Sequence, residues 1–66
     1  MNTFTTTAYN QQGEVLETET HTDSWEATEI CLGMSQDHGY AETLDAWGKH
    51  YGDYGHRPTV LGQRVF

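Results

Sequence analysis

Cysteine is nearly absent from this chain, and lysine and arginine are wholly absent from its first 48 residues. Cys31 is the only cysteine, so no disulfide can form within the chain, as suits a reducing compartment. No apolar run approaches the roughly 20 residues that a membrane helix needs. No N-terminal stretch joins a basic region to an apolar core as a signal peptide does. These absences predict a soluble, cytoplasmic protein with no membrane partner. Sixty-six residues make one domain, spanning 1–66. A chain this short buries only about 60% of its unfolded surface, which leaves a thin core.

The recognisable catalytic signatures are missing too. There is no Gly-x-Ser-x-Gly elbow, phosphate loop, His-Glu-x-x-His pair or dinucleotide fingerprint. Cys31 is a candidate nucleophile with His38 or His50 as its base. It lies between Ile30 and Leu32, however, where cysteine behaves as a small buried hydrophobe. The expectation is a non-catalytic protein without a cofactor. Cys31, His38, His50 and His56 form an alternative zinc-ligand set, but their spacing lacks the short pairs of common structural zinc sites.

What the chain has in excess is negative charge. Ten carboxylates face three basic residues, for a formal charge of −7. Nine of the ten precede Lys49. Nucleic-acid binding draws on basic side chains that displace counterions from phosphates, so direct DNA or RNA binding is not expected. A basic partner would be attracted instead, and steering would speed the encounter. Solubility alone explains a negative charge, but it does not require 48 residues without a single Lys or Arg.

Local patterns predict an α+β fold, β-β-α-β-β. One helix packs on one face of an antiparallel sheet of four strands, or of five with a further C-terminal strand. Thr3 to Tyr9 and Glu14 to His21 read as a hairpin around Asn10-Gln11-Gln12-Gly13, a type I turn with glycine in the left-handed bulge position. Pairing Asn10 with Glu14 sets Ala8 opposite Leu16, Thr6 opposite Thr18 and Phe4 opposite Thr20. Glu17 and Glu19 then fall on the other face of the sheet from Phe4 and Ala8. Asp23 is a good N-cap, with Glu26 three residues on. Ala27, Ile30, Cys31 and Met34 recur at helical spacing as a buried stripe, while Glu26 and Glu29 face solvent. The helix is expected to fray between Gly33 and Gly39.

Residues 40–55 admit two readings. Tyr40 to Asp45 and Lys49 to Tyr54 form a second hairpin about Ala46-Trp47-Gly48, or Tyr40, Leu44, Trp47 and Tyr51 share a helical face. Four glycines between 39 and 55 favour the hairpin. Thr59 to Phe66 reads as a last strand. Most aromatics in so small a domain belong to its core. Trp47, at the tip of a hairpin, divides between core and interface.

Carboxylates on one strand and one helix, with no base nearby, present a surface like a phosphate backbone. Glu14, Glu17, Glu19, Glu26 and Glu29, with Trp47, are the candidate partner-binding residues. In size, acidity and lack of catalytic motifs the chain resembles the small inhibitors that phages encode against host defence, anti-CRISPR and DNA-mimic anti-restriction proteins. That resemblance implies a stoichiometric inhibitor that occludes a basic surface on a host protein or ribonucleoprotein complex. The alternative is a small oligomeric accessory protein, a homodimer paired through an uncovered edge strand.

Overall fold

A computed structural model describes residues 3–59. Four strands and one helix follow in the order β1 (Phe4–Tyr9), β2 (Val15–His21), α1 (Ser24–His38), β3 (Tyr40–Leu44) and β4 (His50–Gly55). The strands form one open antiparallel sheet in the order β2-β1-β3-β4. The helix lies on one face, and the fold is the expected α+β sandwich of two layers. The proposed last strand, Thr59 to Phe66, lies outside the described residues except for Thr59, which is not in a strand.

Both hairpins close on the same turn. In the first, the Asn10 N–H donates to Glu14 O and the Gly13 N–H to Asn10 O, each at 3.0 Å. Asn10 Oδ1 accepts from the backbone of Gln12 and Glu14. In the second, the Asp45 N–H donates to Lys49 O at 2.8 Å and the Gly48 N–H to Asp45 O at 3.0 Å. Asp45 Oδ1 accepts from Trp47 and Lys49. The turns need a left-handed residue in fourth place, and Gly13 (φ 83°) and Gly48 (φ 78°) supply it.

The register of the first hairpin departs from expectation after one pair. Tyr9 faces Val15 as expected, but Ala8 then faces Glu17, Thr6 faces Glu19 and Phe4 faces His21. Leu16 is the extra residue of a β-bulge, and it shifts every later pair by one. Glu17, Glu19 and His21 therefore lie on the same face as Ala8, Thr6 and Phe4, beside the helix, not on the face away from it.

Asp23 caps α1 through a 3.2 Å bond from the Trp25 N–H to its Oδ1. The expected fraying does not occur, and the helix continues through Gly33 to His38. A glycine in a helix costs about 1 kcal/mol, but Cys31, Met34 and Ser35 on either side of it are buried. Burial outweighs propensity here. Gly39, left-handed at φ 99°, ends the helix and donates to Ser35 O at 2.7 Å.

The core between the layers is small. Ala8 and Ala41 of the sheet meet Cys31 and Met34 of the helix, with Ile30 partly buried against them. Thr6 and Thr43, both buried, satisfy each other across the strands at 2.8 Å. The opposite face of the sheet is covered in part by the chain beyond β4. Pro58 is buried there, and Tyr40 and Glu42 are buried although they point away from the helix. The His56 N–H donates to Gly39 O and Gln11 Nε2 to His56 O, which ties this return segment to the helix end and the first turn.

Candidate functional site

The bulge at Leu16 decides where the acidic residues stand. With β2 shifted, Glu17 and Glu19 project from the outer strand toward α1, which lies mainly over β1 and β3. Glu29 and Asp37 come from the facing side of the helix. Together with Ile30 and Met34, these four carboxylates line a groove of about 240 Å³. His38 Nε2 lies 3.1 Å from Glu17 Oε1 at the end of the helix. The carboxyl groups stay in water, and the Glu17 side chain is 43% exposed.

Of the five expected carboxylates, the structure brings Glu17, Glu19 and Glu29 into one groove. Glu14 sits in the first turn, where Asn10 Nδ2 donates to it at 2.8 Å. Glu26 lies at the opposite end of β2, 3.7 Å from Nδ1 of the buried His21. Asp37 belongs to the group and is new. Its signal is the spacing of Glu29, Gly33 and Asp37, four residues apart on one helix face.

Trp47 stands apart from the carboxylates, in the turn between β3 and β4 at the other side of the sheet. It is 76% exposed, and its backbone N–H donates to Asp45 Oδ1 at 2.9 Å. Phe4 and Tyr51 pack beside that turn with ring centroids 4.8 Å apart. Trp25, Tyr51 and Tyr54 are exposed as well, so the expectation of mostly buried aromatics holds for Tyr40 but not for these. The core is too thin to hold them.

A second groove, of about 450 Å³, runs between α1 and β4. Thr28 and Cys31 line it from the helix, Thr43, Tyr51, Gly52, Asp53 and Tyr54 from the sheet. Of the candidate residues Cys31 lies here, where it is a buried hydrophobe. The available signal was a glycine inside a strand.

On the far face, Tyr40 Oη donates to Asp53 Oδ2 at 2.8 Å and accepts from Arg57 Nη1 at 2.7 Å. Arg57 also lies 3.7 Å from Glu42 Oε2 and 3.9 Å from Asp53 Oδ2. Burial and the Asp53 carboxylate push the Tyr40 phenol above its usual range. This array joins β3, β4 and the return segment.

The alternative zinc set does not assemble. Cys31 is buried and donates to Ala41 O at 3.3 Å, His38 pairs with Glu17, and His50 lies 3.7 Å from Asp53. Among the described residues no group of three or more His, Cys, Asp or Glu is placed to hold a metal. Burial also raises the Cys31 thiol, which opposes a nucleophilic role. No described helix is long and apolar enough to cross a membrane. Comparison of the chain with protein-family models, with curated proteins and with solved structures found no match.

Proposed function

We propose that this chain is a non-catalytic, protein-binding inhibitor that blocks a basic surface on a host protein or ribonucleoprotein complex. The carrying observation is the convergence of Glu17, Glu19, Glu29 and Asp37 on one groove, in a chain without Lys or Arg before residue 49. Four solvated carboxylates in one groove offer a basic surface the negative charge that a phosphate backbone offers. They act on association and orientation more than on bulk affinity. The general character of the chain suits a phage-encoded inhibitor of host defence, of the anti-CRISPR or anti-restriction kind, acting in the cytoplasm. Trp47, exposed on a hydrogen-bonded turn, is a second contact of the kind that anchors interfaces.

The test is capture of partners from a bacterial lysate by tagged wild type and by the Glu17→Lys, Glu19→Lys variant. A protein with a basic surface that is retained by the wild type and lost by the variant supports the reading. Equal capture by both sinks it. Pairing of two copies through an edge strand is a second reading. The sheet ends at β2 and β4 among the described residues, although like charges on β2 oppose self-pairing there. Light scattering across a concentration series separates the two.

A further inference from the structure

The groove between α1 and β4 is open at Gly52. This residue sits directly across from Thr43 on the helix-facing side of the sheet. Its backbone is not left-handed, and a Cβ built there would meet no heavy atom within 4 Å. Neither conformation nor crowding calls for glycine, and a strand interior is where glycine weakens a sheet. The open space is what the residue provides. Tyr51 and Tyr54, both exposed, flank it.

Thr28, Cys31 and Thr43, three of the polar groups that line this space, are hydrogen-bonded within the chain. Thr28 Oγ1 donates to Ser24 O at 2.9 Å, and Cys31 Sγ donates to Ala41 O at 3.3 Å. The Thr43 hydroxyl shares a hydrogen with Thr6 at 2.8 Å. Lone pairs remain on the Thr28 and Thr43 oxygens, so an occupant that reaches them is a donor. Asp53 lines the groove as well, and its carboxylate lies 3.9 Å from Arg57. Two tyrosine rings at the walls favour a flat cation over a compact one.

We propose that this groove receives an arginine side chain of the protein partner, its guanidinium against Tyr51 and Tyr54 and its N–H groups on the Thr28 and Thr43 oxygens. Arginine carries five donors and no acceptor, which suits a site of unused acceptors. A neutral aromatic ring would leave those acceptors unpaired, and a lysine would lack the stacking plane. The inference rests on the basic-partner reading and names the residue that such a partner inserts.

The experiment compares a short poly-arginine peptide with a poly-lysine peptide of equal length, by titration into isotope-labelled protein. The wild type should bind poly-arginine about two- to five-fold more tightly, with amide shifts at Thr28, Gly52 and Tyr54. Gly52→Val, which fills the groove with a good strand former, should bring the ratio to unity and leave poly-lysine binding unchanged. Tyr54→Leu should do the same, and it decides the matter if the valine variant fails to fold. Glu17→Lys with Glu19→Lys should weaken both peptides equally and keep the preference. A preference absent from the wild type, or retained in folded Gly52→Val and Tyr54→Leu, overturns the arginine site and leaves the acidic-surface reading standing. Failure of both peptides to bind the wild type overturns both.

Discussion

Leu16 and Tyr51 occupy equivalent places in the two hairpins. Each follows its turn glycine by three residues, and each is the bulged residue of its strand. The equivalence extends outward, so that Glu17 corresponds to Gly52 and Glu19 to Tyr54. One hairpin plan thus builds both outer strands, and the helix between them leaves a groove on either side. The groove at β2 is walled by carboxylates, and the groove at β4 by a vacancy and two rings. On the basic-partner proposal the two grooves would act by different physics, one through long-range charge and the other through local stacking.

On the far face, Tyr40 is the pivot. Its hydroxyl links two charged groups, and a hydrogen bond to a charged group contributes about 1.5–3 kcal/mol. Tyr40→Phe should lose stability of that order in denaturant titration. The raised phenol also sets a pH dependence. The folded state favours the neutral phenol, so its contribution is complete below the unfolded pKa of about 10 and is lost as pH rises toward the folded value. The wild type should therefore weaken in alkali more steeply than Tyr40→Phe. Parallel curves would show that Tyr40 ionises as in the unfolded chain.

Gly55 makes the close approach that lets the return segment cross to that face. At φ 96° it is left-handed, and a Cβ there would collide with the Gly39 carbonyl. Gly39 is left-handed too, but a Cβ on it would meet nothing. Gly39→Ala should cost only the backbone strain, about 1–2 kcal/mol. Gly55→Ala must also displace backbone, so its melting temperature should fall further. Equal losses would refute the close approach.

The legible parts of this fold were those whose cause is local. Asn10 to Gly13 and Asp45 to Gly48 carry their turn chemistry in four residues, and Asp23 marks the helix start. The helix end is different, because Gly33 reads as a breaker until its buried neighbours are known. The face of Glu17 and Glu19 was hidden because a bulge at Leu16 has no compositional mark and a one-residue slip inverts the strand. The Tyr40, Asp53 and Arg57 array joins residues with no shared period. Trp47 was divided between core and interface in the sequence, and its place in the second turn leaves it exposed.

Direct nucleic-acid binding should be absent. At low salt, where phosphate contacts are strongest, labelled duplex and single-stranded probes should run unshifted with the protein. Salt-sensitive retardation would contradict recognition through carboxylates, since Lys49, Arg57 and Arg64 are the only fixed cations in the sequence.

The last prediction concerns the acidic groove once a partner is in hand. Glu17 and Glu19 are exposed on an outer strand, and exposed substitutions shift stability by about 0.5 kcal/mol or less. Reversing both to lysine should leave circular dichroism and melting close to wild type, apart from the lost contact between Glu17 and His38. Association should slow, because rim charges act on encounter, whereas buried charged contacts act on dissociation. The difference from wild type should shrink as salt rises, since the Debye length falls from about 10 Å at 0.1 M to 3 Å at 1 M. Stopped-flow binding at several salt concentrations measures both effects. An unchanged association rate would reduce the carboxylates to solubilising groups. The contact would then belong to the β4 side of the molecule, where Trp47, Tyr51 and Tyr54 are exposed.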